Sequence, residues 1–163
     1  MYKVLFLTQW YPSQKSPVNG IFIREHAHAV SQFHDVTVFY IEGLHYQNHP
    51  TIKINLEMDD GLKTYRLCYS KPYFPKTSWL RRLSGTLRVV KELDLMNARP
   101  DIIQANIYST ADLAVFISRI YKIPAVLSEH ATTYPRNLFT KTQVLKTRFF
   151  MNRLKMVMPV SHN

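Results

Sequence analysis

Apolar residues along this chain follow two alternating rhythms. At 2–8, 36–41, 101–105 and 123–128 most positions are apolar over a short run, the pattern of strands buried in a sheet. Between these runs apolar residues recur at helical spacing. In 21–33, Phe22, Ala29 and Phe33 share a stripe with His26, and Ile23, Ala27 and Val30 flank it. In 79–97, Leu80, Leu83, Leu87 and Val90 mark a long amphipathic helix that Arg99-Pro100 stops. Ser109-Thr110-Ala111-Asp112 resembles a capping box with Asp in place of Glu and opens a helix to about 121. A basic helix is expected at 140–154. A last strand, 156–160, contains a proline that suits a sheet edge or a strand end.

The stretch 42–75 is less regular. Strands are expected near 51–56 and 62–69, joined by the hairpin signal Asp59-Asp60-Gly61, and 71–75 reads as a loop. Strands alternating with helices over short connections predict one α/β domain covering 1–163: doubly wound, Rossmann-like, three-layered, with a mostly parallel sheet.

Composition narrows the class. With 163 residues, 46% hydrophobic and 13% aromatic, the chain has the material for a sizeable core and is not of disordered type. No apolar run approaches the roughly 20 residues needed to cross a bilayer, and the start, soon broken by Gln9 and Pro12, does not read as a signal peptide. The single cysteine, Cys68, cannot form an internal disulfide, is expected in a strand, and suits a reducing cytoplasm.

Charge adds a partner class. Lys plus Arg number 21 against 11 for Asp plus Glu, a net charge of +10, which favours phosphate-bearing ligands or anionic lipid headgroups. The densest segment holds Lys141, Lys146, Arg148, Arg153 and Lys155 with no acid; Arg81, Arg82, Arg88 and Lys91 form a smaller cluster. Solvated helix faces would account for both clusters equally well.

The candidate chemistry sits where strands end. Ile123-Pro124-Ala125-Val126-Leu127 runs into Ser128, Glu129 and His130, and open parallel sheets bind ligands beyond the carboxyl ends of their strands. The first strand likewise leads to Gln9, Trp10, Tyr11 and on to Asn19-Gly20, and the 101–105 strand to Asn106, Tyr108 and Ser109. Gly20 precedes a helix whose free N–H groups suit a diphosphate, and a glycine there would let a ligand approach the backbone.

Other sites lack their signatures. There is no Gly-x-Gly-x-x-Gly, Walker loop or Gly-x-Ser-x-Gly elbow. His26 and His28 point about 200° apart on a helix and are ill placed to share a metal, so no metal or resident cofactor is expected; His26 reads as a packed helix residue.

Taken in order, Met1-Tyr2-Lys3-Val4-Leu5-Phe6-Leu7, Asn19-Gly20-Ile21-Phe22, Arg99-Pro100-Asp101-Ile102-Ile103-Gln104-Ala105-Asn106, Ile123-Pro124-Ala125-Val126-Leu127-Ser128-Glu129-His130 and Pro159-Val160-Ser161 resemble the N-terminal domain of family 4 glycosyltransferases of the GT-B fold. The resemblance implies the acceptor-binding half of a retaining enzyme whose other domain, absent from this chain, holds most of a nucleotide-sugar donor. It matches Gly20 to the loop glycine near the donor diphosphate and His130 to the strand-end histidine near the transferred sugar. Asn19, Asn106, Tyr108, Ser109 and Glu129 would line the substrate site, with Glu129 an orienting residue and not a base. The family often has two glycines where this chain has Asn19-Gly20, and His-x-His where it has Gln104-Ala105-Asn106.

Expected partners are then a nucleotide-sugar donor, a glycan or lipid-linked acceptor, and an anionic membrane surface touched by 141–155, with no nucleic acid. The residues themselves leave open a non-enzymatic phosphate- or nucleic-acid-binding module, and a flavodoxin-shaped ligand domain without chemistry.

Overall fold

The computed structural model describes residues 1–14, 16–44, 52–70, 75–130 and 139–159. In chain order the elements are β1 (Lys3–Thr8), α1 (Ile21–Ser31), β2 (Asp35–Leu44), β3 (Ile52–Asp59), β4 (Leu62–Ser70), α2 (Pro75–Leu95), β5 (Ile102–Asn106), a 3-10 turn (Tyr108–Thr110), α3 (Ala111–Tyr121), β6 (Ala125–Glu129), α4 (Lys141–Met151) and β7 (Met156–Pro159). The strands form one sheet in the order β3-β4-β2-β1-β5-β6-β7. Among the described strands only β3 is antiparallel, paired with β4 through the Asp60-Gly61 turn, where both residues have positive φ as a two-residue hairpin of type I′ requires. Pro159 ends β7, an outermost strand, where its missing N–H costs the ladder nothing.

Strand alternation divides the core between the two sheet faces. Val4 and Phe6 of β1, with Val36, Val38 and Tyr40 of β2, pack against Ile23 and Ala27 of α1. Leu5, Leu7, Phe39 and Ile41, one residue out of phase, pack with Ile103, Ala105 and Leu127 against Val89, Val90 and Leu93 of α2 and Leu113, Ala114 and Ile117 of α3. This is the three-layer, mostly parallel α/β arrangement that the sequence predicts.

Three local readings change. The buried stripe of α1 is Ile23 and Ala27, whereas Phe33 is 72% exposed and Phe22 38% exposed. Phe22 lies in the helix's first turn, at the carboxyl edge of the sheet, where other rings receive it instead of the core. The long helix starts at Pro75, inside the stretch expected as a loop; proline suits the first helical turn, where its missing N–H would have had no partner. Most of the 71–75 loop and the expected strand ends at 51 and 160 lie outside the described residues.

No capping box forms at 109–112. The Thr110 hydroxyl donates backwards instead, with Asn106 O at 3.1 Å and Ile107 O at 3.0 Å, because the 3-10 turn folds it over the end of β5. Asp112 Oδ1 accepts from the neighbouring Leu113 N–H at 2.8 Å. The box that does exist is at Thr140 and Gln143, opening α4.

Candidate functional site

The chain winds from β1 to β2 on one side and returns to place β5 on the other side of β1, so the strand order reverses between β1 and β5. Loops leaving neighbouring strands there part in opposite directions and leave a crevice. The carboxyl ends of β1, β5 and β6 face it with Thr8, Asn106 and Glu129, and His130 follows directly.

The loop after β1 is built tightly. Thr8 Oγ1 donates to Trp10 O at 2.9 Å and lies 3.0 Å from Trp10 N, closing a local turn. Tyr11 is fully buried, and Arg66 of β4 donates to Pro12 O at 2.8 Å while its guanidinium lies 5.5 Å from the Tyr11 and Tyr40 ring centroids. Glu57 and Asp59 pair with the same guanidinium.

Gly20 caps α1 with φ 68°, and a Cβ there would stand 2.4 Å from both the carbonyl carbon and oxygen of Trp10. Its side-chain position is thus filled by the loop's own backbone, which is why a glycine is required. Asn19 precedes it in the turn, its N–H donating to Ser16 O at 3.3 Å. The first turn of α1 has neither a side-chain cap nor an acidic residue, so the positive end of its dipole is not neutralised by its own side chains.

β5 ends in strain. Ile107 is buried with φ 66° and ψ 148°, a region that β-branched residues rarely enter and that costs about 1–3 kcal/mol. Its N–H donates to Ser128 O at 2.9 Å and its carbonyl accepts from Thr110, so bonds on both sides hold the kink. The kink throws Tyr108 and Ser109 into the 3-10 turn at the crevice edge. Tyr108 meets the Phe139 ring edge-on at 4.8 Å, and Ser109 gives its carbonyl to Arg82 Nη2 at 2.6 Å.

Gln104 and Asn106, two apart on β5, point to the α1 face, and Ser128 lies beside Asn106 in register on β6. Asn106 is fully buried, its amide donating to Gln104 O at 3.2 Å and its Oδ1 accepting from Gln104 Nε2 at 3.4 Å. Gln104 Nε2 is also 3.5 Å from His26 Nδ1, whose ring meets Phe6 edge-on. His130 stands above this row. Its Nε2 shares a 3.0 Å hydrogen bond with Ser128 Oγ, and its ring lies 4.7 Å from Phe22, which in turn meets Trp10 at 6.4 Å.

Burial lowers the His130 pKa, with the nearby His26 charge adding to it, and burial alone lowers that of His26. Both imidazoles are therefore neutral at pH 7, and His130 can both accept and donate a hydrogen bond. Glu129 is only 9% exposed at the end of β6.

The structure thus gathers Gly20, Asn106, Glu129 and His130 along one edge, with Tyr108 and Ser109 on the adjoining turn. The sequence reading missed Gln104 and His26 as one polar row and Trp10-Phe22 as an aromatic shelf. The signal for the row was available: two amides at i and i+2 at the end of an apolar strand share one face. Among the described residues no three His, Cys, Asp or Glu side chains cluster as metal ligands would.

Comparison with known proteins identifies the family and the fold. The family model described as Glycosyltransferase Family 4 matches residues 20–163. Among solved structures, sucrose-phosphate synthase from Thermosynechococcus elongatus is similar over 96% of this chain and 42% of its own, with 12% identity and a TM-score of 0.62. Trehalose-6-phosphate synthase from E. coli, bound with UDP-2-fluoro glucose, matches 94% of this chain and 39% of its own at 10% identity, TM-score 0.55. The catalytic domain of starch synthase IV from Arabidopsis thaliana, bound to ADP and acarbose, matches 80% and 34% at 17% identity, TM-score 0.51. This chain therefore spans less than half the length of these three. No curated protein sequence matches it significantly.

Proposed function

The chain belongs to glycosyltransferase family 4, and from that premise we propose that it is the acceptor-binding domain of a retaining transferase that moves a sugar from a nucleotide sugar to a glycan or lipid-linked acceptor. The observation that carries this reading is the convergence of the uncapped start of α1 and His130 on the crevice where the strand order reverses.

Glycosyl transfer passes through an oxocarbenium-like state while negative charge grows on the departing diphosphate. Fixed donors at that oxygen are the expected device; with the Ile21 and Ile23 N–H groups already bonded to Val18 O and Gly20 O, the Phe22 N–H and the positive end of the α1 dipole supply a share of it. Neutral His130, held by Ser128 and the Phe22 ring, hydrogen-bonds the transferred sugar or the acceptor hydroxyl. Asn106 and Gln104 support the floor from beneath, and Glu129 orients. Most of the donor belongs to a second domain. In the full-length enzyme the product should keep the donor's anomeric configuration, read from the proton coupling of the new glycosidic centre; an inverted product contradicts a retaining mechanism.

We further propose that α4 seats the enzyme on the inner, anionic face of a membrane. No described helix is long and apolar enough to cross a bilayer. Its outward face presents Leu145 at 71% and Phe149 at 49% exposure among the exposed cations Lys141 and Arg148, and the Arg153 guanidinium lies 3.4 Å from the Phe149 ring centroid. Apolar side chains framed by cations suit the headgroup boundary.

Each cation near such a surface contributes about 1 kcal/mol, so Lys141, Arg148 and Arg153 together favour anionic over neutral vesicles by roughly 100-fold at low salt. Co-sedimentation of the chain should show that preference and its loss in high salt. Equal binding to neutral and anionic vesicles, or none at low salt, removes the membrane role.

A further inference from the structure

Helices α2, α3 and α4 and the 3-10 turn frame an open-sided cavity of about 190 Å³ whose polar lining includes Arg82, Ser109, Asp112, Gln143, Lys146 and Thr147. A single water needs only roughly 10–15 Å³, so the space admits something larger. Its hydrogen-bonding capacity is one-sided. Asp112, the one carboxylate in the lining, is already engaged: Oδ1 takes Leu113 N–H at 2.8 Å and Arg82 Nη2 at 3.4 Å, and Oδ2 faces Lys146 Nζ at 3.7 Å. The carbonyl oxygen of Gln143 is likewise occupied, by Thr140 N–H at 2.8 Å, which leaves Gln143 its NH₂ group to offer.

Donors are in surplus. Arg82 Nε and Ser109 Oγ are both buried without a hydrogen-bond partner among the described residues. Lys146 lies 3.7 Å from Asp112 Oδ2 and 6.0 Å from the Phe150 ring centroid, with ammonium hydrogens to spare. Two cations against one carboxylate leave the lining positive. A cavity rich in donors, short of acceptors and positively charged calls for an anion with several acceptor oxygens. Because the donors approach from α2, the turn and α4, a tetrahedral oxyanion meets them better than a planar carboxylate.

We propose that this cavity binds a phosphate group, and that in the transferase this phosphate belongs to the acceptor. The assignment to the acceptor rests on the transferase reading, since Tyr108 and Ser109 join the cavity to the crevice edge; phosphate binding itself does not.

The test is titration of the chain with inorganic phosphate at constant ionic strength, followed by ³¹P NMR and calorimetry. One saturable site is expected, weakened at least tenfold by Arg82→Gln and severalfold by Lys146→Ala and Ser109→Ala. The last two keep the test open should Arg82→Gln not fold, because Lys146 is 64% exposed and Ser109→Ala removes only a hydroxyl. Arg119→Ala, which removes an exposed cation of α3 outside the cavity, should leave binding unchanged. Absence of saturation, or equal weakening by Arg119→Ala, overturns the site.

Competition then separates the sources. Displacement by glycerol 3-phosphate points to a soluble phosphorylated acceptor, and tighter displacement by a monomeric lysophosphatidic acid points to a lipid phosphate. Displacement by neither removes the assignment to the acceptor. No step needs a sugar donor, so failed sugar transfer with intact phosphate binding would sink the transferase reading alone.

Discussion

In the full-length enzyme, His130→Ala should lower kcat by roughly 10²–10³-fold, the usual loss when one preorganised hydrogen-bonding group at a transition state is removed. Stability should change far less. His130 is half-buried and its hydrogen bond to Ser128 is worth about 1 kcal/mol, leaving Ser128 Oγ to find water in the crevice. Steady-state kinetics beside a urea transition separate the two, and a variant with near-normal turnover would return His130 to an ordinary loop residue.

The depressed pKa adds a pH signature. With the imidazole neutral in the working enzyme, the rate should stay level down to the ordinary histidine range near 6.5 and fall only below it, as His130 takes up a proton. The same sign holds for stability, because an unfolded chain protonates His26 and His130 at higher pH than the folded one does. Any contribution from these groups is complete above that range and lost as the solution becomes more acidic.

Gly20→Ala should cost stability as well as activity. A left-handed conformation costs a non-glycine residue about 1–2 kcal/mol, and overpacking adds about 1–3 kcal/mol. Here the added Cβ would stand 2.4 Å from the Trp10 main chain, which Tyr11 and Arg66 anchor, so the loop cannot move aside cheaply. Gly61→Ala is the internal control. Gly61 has φ 79° but nothing within 4 Å of its Cβ position, so only the conformational cost remains. The urea midpoint should fall clearly further for Gly20→Ala at unchanged m-value; equal shifts would mean that the contact with Trp10 does not constrain the loop.

Much of the fold was legible because burial imposes a period. Strands closed in on both faces leave unbroken apolar runs, and Asp60-Gly61 carries its turn type in its residues. Phe22 was misplaced because an amphipathic count assumes that every large apolar side chain seeks the core, while this one packs on Trp10 and His130 at the crevice. The Ser109–Asp112 motif misled because the 3-10 turn makes Thr110 the N-cap, one residue past Ser109, and the Thr110 hydroxyl is committed to the carbonyls ending β5.

In the candidate site, Gly20 and His130 could be read as strand-end residues. The left-handed turn at Ile107 could not, since no local preference puts isoleucine there; bonds from Ser128 and Thr110, distant from or following it in the chain, hold it. The Arg82, Asp112 and Lys146 group is similarly hidden, because three separate helices bring it together.

The central claim is a division of labour in which this domain holds the acceptor and a second one holds most of the donor. It is tested most directly by incubating the purified 163-residue chain and the full-length enzyme with UDP-, ADP- and GDP-linked sugars and following nucleotide release and product formation. Turnover by the full-length enzyme and none by the chain alone is the predicted result; transfer by the chain alone at a comparable rate would contradict it.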